Sequence, residues 1–250
     1  MITYAVVNKK GGAGKTTTAL ALVDGLSKAG KKVLAIDIDP QGNLSSVCHT
    51  EPDVIGSAEL ITKQPHVSDV IQHKDSYDLI AGDGTLVDVE ANLFKVIGKE
   101  AHLREALDEV KDEYDYCIID TPPSIGLLTV NAMVAADKII VTANADAFSA
   151  DGLVELYRDI SAIQKYFNPE LKIDGILLTR YSERTTLARE MLKEFRQMAE
   201  KIDTKVYKTK IRENVSIREA QYTRQLLSDY DKDCNGAQDY KVLLKEMEFL

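Results

Sequence analysis

Apolar positions in this chain fall into short continuous runs separated by longer stretches of helical spacing. The runs predict strands at Ile2–Val7, Val33–Asp37, Leu79–Ala81, Tyr116–Asp120, Lys138–Ala143 and Ile173–Thr179, with a weaker one near Lys205–Tyr207. Within a run the residues are apolar throughout rather than alternating, which is the pattern of strands covered on both faces. Between them the spacing predicts helices at Lys15–Ala29, Leu86–Val96, Ala101–Lys111, Leu127–Ala135, Ala150–Tyr166, Thr185–Lys201 and Ala237–Leu250. Strands alternating with helices imply an α/β fold, a mainly parallel twisted sheet with helices on both faces. No linker, low-complexity stretch or internal repeat interrupts the alternation, so residues 1–250 are read as one domain.

Composition narrows this picture. The chain is 44% hydrophobic and 28% charged, as expected of a globular protein, and its three cysteines show neither paired nor metal-ligand spacing. Reduced thiols in a cytoplasmic protein are expected. No secretory leader pattern follows Met1, and no apolar run reaches the length of a membrane span. The net charge of −9 argues against a wholly basic nucleic-acid binder. Residues 180–224, however, hold 12 Lys/Arg against 7 Asp/Glu, a local surplus of five positive charges on an acidic chain.

The chemistry is concentrated where strands end. "GGAGKTTT" (Gly11–Thr18) follows the first strand and opens the first helix, the context of a phosphate-binding loop. Gly11, Gly12 and Gly14 let backbone amides approach phosphate oxygens, Ala13 spaces them, and the helix adds its positive end. Lys15 is placed for the β- and γ-phosphates, Thr16 for Mg²⁺ and Thr17 for the α-phosphate. A second lysine, Lys10, opens the loop, and Lys9 stands where the general pattern has glycine.

Two acidic blocks accompany the loop. "VLAIDIDPQGNLS" (Val33–Ser45) ends a buried strand in Asp37 and Asp39, two apart and therefore on one side of an extended chain. "YDYCIIDTPPSIG" (Tyr114–Gly126) leads an apolar run to Asp120 and then to Thr121-Pro122-Pro123. Strand C-terminal ends are where ligands bind in such sheets. Asp120 suits Mg²⁺ held through a water, and the prolines suit a turn that senses the γ-phosphate.

Together these blocks resemble the deviant Walker A, Walker A′ and Walker B motifs of the ParA/MinD group of P-loop ATPases. The likeness extends over nearly the whole chain, through "HVSDVI", "YDLIAGDGTLVDVE", "FSADGLVELYRDI", "GILLTRYSERTTLAREM" and "TKIRENVSIREAQYTRQLLSDYD". It implies slow hydrolysis of ATP with Mg²⁺, with Asp39 positioning the attacking water and Asp37 near the magnesium shell. It implies that Lys10 reaches across an ATP-dependent homodimer to the partner's phosphates. The segment around Ile211–Arg212, with Arg180, is expected to close over adenine.

For partners the resemblance implies non-specific DNA and a ParB-like centromere-binding adaptor that stimulates hydrolysis, in a nucleoid-associated cytoplasmic protein. Lys205, Lys208, Lys210, Arg218 and Arg224 are the expected DNA contacts; Arg189, Lys193, Arg196 and Lys201 on helix 185–201 are interrupted by acids. "IRENVSIREA" departs from the family's usual "IPRNVRLSEA", with Ser216 in place of an arginine. The final "DYKVLLKEMEFL" mixes glutamates with lysines, which predicts a packing helix rather than a membrane anchor. No helix-turn-helix precedes the loop, so operator-specific repression is not expected. The alternative is a MinD-like switch acting on a membrane or protein scaffold.

Overall fold

The computed structural model describes residues 1–51, 55–63, 65–146 and 149–250. Seven strands build one sheet: β1 (Ile2–Val7), β2 (Val33–Asp37), β3 (Gln72–His73), β4 (Asp78–Ile80), β5 (Tyr116–Asp120), β6 (Lys138–Asn144) and β7 (Lys172–Thr179). Their order is β3-β4-β2-β5-β1-β6-β7, and every pairing is parallel except β3 with β4.

The apolar runs are explained by what covers them. Along β1, Ala5 and Val7 belong to one buried cluster while Tyr4 and Val6 belong to another. Leu34 and Ile36 of β2 likewise oppose Val33 and Ala35. On one face lie α1 (Lys15–Lys28) and the last helix; on the other lie α5 (His102–Asp108), α6 (Leu127–Ala135), α7 (Ser149–Tyr166) and α8 (Thr186–Lys201). A strand with helices on both sides has no polar face to show. "FSADGLVELYRDI" begins at Phe148, which lies outside the described residues.

The last helix, α11 (Asn235–Glu246), packs on α1, where Leu244 fills the space left by Gly25. Beyond it, Phe249 is buried, edge-on to Tyr4 at 5.5 Å and tilted against Tyr116 at 5.1 Å. The chain's end is thus part of the core. Among the described residues no helix is long and apolar enough to cross a membrane.

Three predicted elements differ. Residues 86–96 do not form one helix: Asp83 accepts a hydrogen bond from Thr85 N and starts a 3₁₀ turn at Gly84–Asp88, followed by the single turn α4 (Val89–Asn92). Local side-chain bonding to the backbone competes with helix here. The expected strand at 205–207 makes one parallel bridge, Val206 to Ile176, and goes no further. The basic stretch contains a helix that its charge pattern hides, α9 (Val215–Tyr222), and the short α10 (Leu227–Tyr230) follows it. Short α2 (Asn43–Val47) and α3 (Ser57–Lys63) complete the set.

Candidate functional site

The C-terminal ends of β1, β2 and β5 converge, and their following loops form the site. After β1 the chain turns through Gly12 (φ 70°) and Gly14 (φ 82°), both in the left-handed region. Gly14 also caps α1, and a Cβ there would stand 3.0 Å from the Thr179 side chain. The loop is braced from outside: Thr179 Oγ1 of β7 donates to Ala13 O (3.0 Å), and Asn8 bonds both Thr142 O and Lys10 N. The amides of 11–15 are thereby held around a cradle that side chains would fill.

Beneath the cradle lie the acids. Asp37 and Asp120 are register partners at the ends of β2 and β5. Asp120 has no exposed surface, and neither carboxylate oxygen has a hydrogen-bond partner. Burial and the charges of Asp37 and Asp39 push its pKa well above the ordinary value; Thr16 and Lys15 pull the other way without reaching hydrogen-bond geometry. Lys15, itself buried, is lowered by desolvation and donates to Lys10 O at 3.3 Å.

An orphaned buried carboxylate beside a threonine hydroxyl and a lysine is costly unless a cation completes it. The donors are hard oxygens, suited to Mg²⁺, which takes few protein ligands and completes its shell with waters and phosphates. The residues fit magnesium held by Thr16 and, through water, Asp120.

Asp37 is tied into the turn that follows β2. Its oxygens accept from Asp39 N (3.1 Å), Ser45 N (2.9 Å) and Ser45 Oγ (2.8 Å). Burial still pushes its pKa up, to about 6. These three bonds make it an anchor for the turn that carries Asp39; Oδ1, which accepts one of them, keeps a lone pair. Asp39 is buried but lines the cleft, its Oδ1 accepting from Gln41 N at 3.0 Å. Thr121, next after Asp120, donates its hydroxyl to Val6 O (2.7 Å) and ties the turn that follows β5 to β1.

A cleft of about 410 Å³ opens above the loop. It brings together Gly11, Gly12, Gly14, Lys15, Thr16, Thr17 and Asp39 with Arg180, Arg212 and Arg218. Arg180 (φ 50°) hangs its guanidinium over Gly12. Arg212 is held by Asp239, its Nε and Nη2 donating at 2.9 and 2.7 Å. Asn214, Ile217, Arg218 and Gln221 all line the cleft; their spacing is one face of a helix, and Asn214 caps α9 by accepting from Ser216 N. Sequence reasoning placed Arg218 among DNA contacts and overlooked Gln221. The 214/217/218/221 spacing behind a capping Asn was the available signal.

The two lysines before the loop part company. Lys10 Nζ pairs with Asp146 Oδ2 at 2.6 Å, whereas Lys9 reaches α7, with Asp159 at 2.9 Å and Glu155 at 3.4 Å. Lys9 therefore ties the phosphate loop to α7. The other basic residues lie outside the cleft's lining. Lys205 sits over the Tyr207 ring and 4.0 Å from Asp174, Lys208 and Arg224 are exposed, and Lys210 donates to Lys208 O while lying over Tyr181.

A parallel sheet carrying a braced glycine loop, a buried lysine and a magnesium-ready aspartate defines a P-loop ATPase. Residues 1–173 match the AAA domain family. The chain is 37% identical to the sporulation initiation inhibitor protein Soj of Bacillus subtilis, covering 97% of this chain and 96% of that one. It is 36% identical to the chromosome partitioning protein ParA of Caulobacter vibrioides, over 97% and 92%. The fold superposes on apo McdA of Cyanothece with a TM-score of 0.88 at 24% identity, covering 99% of both chains. It also superposes on cobyrinic acid a,c-diamide synthase from Mycobacterium smegmatis with bound ATP analog and magnesium, with a TM-score of 0.80 at 30% identity over 99% and 96%.

The chain belongs to the Soj/ParA family of partition ATPases. It is an ATPase, and ATP and Mg²⁺ are its nucleotide and metal.

Proposed function

We propose that this ATPase is a DNA-partition switch. With ATP bound, two copies close face to face over their nucleotides and bind DNA without sequence preference. Hydrolysis, stimulated by a ParB-like partner, releases them from the nucleoid. The observation that carries the reading is the placement of Lys10. Its backbone is pinned by Asn8, yet its side chain leaves the cleft and rests on Asp146, with 46% of it exposed. A cation so placed is uncommitted to its own phosphates and suited to neutralise those of a second copy.

In this reading Asp39 positions the attacking water, Lys15, Thr16 and Asp120 serve the phosphates and magnesium, and Arg180 and Arg218 flank the nucleotide. DNA contacts fall to Lys205, Lys208, Lys210 and Arg224, doubled in the dimer. The test is DNA binding titrated with salt under ATP-Mg²⁺, ADP-Mg²⁺ and no nucleotide. Binding is expected only with ATP and should fall steeply with salt. Absence of ATP-dependent DNA binding, together with ATP-dependent binding to liposomes, would favour a MinD-like positioning role instead.

A further inference from the structure

The first turn of α1 presents three hydroxyls in succession, each turned to a different neighbour. Thr16 lies by Asp120. Thr18 shares a buried hydrogen bond of 3.0 Å with the hydroxyl of Tyr240 on α11. Thr17 Oγ1 accepts one of 2.9 Å from Nε2 of Gln221, at the far end of α9. Thr17 and Gln221 both line the nucleotide cleft.

A threonine near a helix start has no single settled rotamer, because its hydroxyl can turn back to a carbonyl three or four residues earlier. In this loop that carbonyl would be Ala13 O or Gly14 O. Accepting from Gln221 holds the oxygen toward the cleft instead. A hydroxyl has one proton and two lone pairs. With the amide of Gln221 on a lone pair, the proton stays available to an acceptor in the cleft, and accepting one bond strengthens the next one donated.

The same bond matters to α9. This helix has eight residues, of which Ala220 alone is buried, so little apolar packing holds it. Tyr230 donates to Glu219 at 3.1 Å from the adjoining α10, whereas Gln221 ties α9 to the phosphate loop itself.

We propose that Gln221 is a positioning residue for the nucleotide. It holds the Thr17 hydroxyl with its proton turned toward the α-phosphate, and through that bond it couples the order of α9 to the phosphate loop. The inference rests on ATP binding and is independent of the DNA reading.

The test is a double-mutant cycle on nucleotide affinity. Gln221→Leu should weaken ATP and ADP binding by the same factor, on the order of 3- to 10-fold, because both carry an α-phosphate. Its kcat at saturating ATP should stay within about twofold of wild type. In a Thr17→Val background, Gln221→Leu should cost nothing more, while in Thr17→Ser, which keeps the hydroxyl, it should cost the full factor. Gln221→Glu, which can accept the Thr17 proton but not donate, should bind less tightly than Gln221→Leu. Without nucleotide, hydrogen exchange across 217–222 should be faster in Gln221→Leu and Thr17→Val alike.

Additive losses in the cycle would overturn the proposal, since a merely structural glutamine would cost the same in every background. Wild-type affinity in Gln221→Glu would overturn it as well, as would unchanged exchange in α9.

Discussion

Replacing Asp120 by asparagine is expected to stabilise the nucleotide-free protein and to abolish what it gains from Mg²⁺. The carboxylate is wholly buried, lacks hydrogen bonds and faces Asp37 across the β2–β5 pair. Asp37 sets the scale. Even with three hydrogen bonds it is held at about 6 instead of 3.8, a cost of about 3 kcal/mol once it is ionised.

Asp120 lacks such bonds and is raised by burial and by the charges of Asp37 and Asp39, so its charged form carries a cost of the same order. The asparagine amide still lacks partners, which returns roughly 1–3 kcal/mol. A net gain of up to about 2 kcal/mol remains once the wild-type carboxylates are ionised, or up to roughly 8 °C in melting temperature for a chain of this size. The pH dependence has a definite sign. A carboxyl raised in the folded state supports folding below its unfolded value, and that support is lost as pH rises through the folded value, about 6 for Asp37. The advantage of Asp120→Asn should therefore grow as pH rises from about 5 to about 8. Calorimetric melts across this range, with ATP in MgCl₂ or in EDTA, provide the measurement. Wild type should melt higher in MgCl₂, and the variant should not distinguish the two. A variant melting at or below wild type at pH 8, or keeping the magnesium increment, would refute the reasoning.

Lys10→Ala breaks a surface ion pair whose side chains are 46% and 34% exposed, worth at most about 1 kcal/mol; it should keep its melting temperature and ATP affinity while losing ATP-dependent dimerisation. A dimer by light scattering under ATP would remove Lys10 from the mechanism. Asp39→Ala should bind ATP-Mg²⁺ yet hydrolyse it far more slowly, and normal phosphate release would count against a water-positioning role. Phe249→Ala removes a buried ring from between Tyr4 and Tyr116, at a cost of about 3 kcal/mol by urea melts; an unchanged midpoint would show that the chain's end is not part of the core.

The central strands were legible almost to the residue, because burial on both faces leaves only apolar side chains: Ile2–Val7, Val33–Asp37 and Tyr116–Asp120 occupy the predicted positions. The phosphate loop was equally legible, since it needs particular residue types at fixed spacing. Legibility failed where the determinant was local bonding or distant contact. Two-residue β3 is too short to show a pattern, and the turn at Asp83 is set by one side chain accepting from its own backbone. In α9 the charges of Arg218 and Glu219 drew notice away from the 214/217/218/221 spacing. The Thr17–Gln221 and Thr18–Tyr240 pairs join residues more than 200 positions apart, and one sequence carries no sign of them.

A nucleotide role for Arg218, which lines the cleft, would change the proposed DNA mechanism. Arg180, Arg212 and Arg218 all line the nucleotide cleft, and Arg212 is already neutralised by Asp239. Asp239 lies outside residues 180–224, so its pairing with Arg212 draws on the local surplus of five positive charges, and a nucleotide in the cleft would draw on Arg180 and Arg218 as well. What remains on one copy is a modest set, Lys205, Lys208, Lys210 and Arg224 with the acid-interrupted Arg189, Arg196 and Lys201, on a chain of net charge −9. So few phosphate contacts hold DNA weakly at physiological salt, because each contributes only its own counterion release. Doubling them in one rigid dimer makes the second set bind at high effective concentration. The scarcity of free cations on each copy is therefore what would make DNA binding depend on ATP: an amply basic monomer would hold DNA in every nucleotide state and could not be released by hydrolysis.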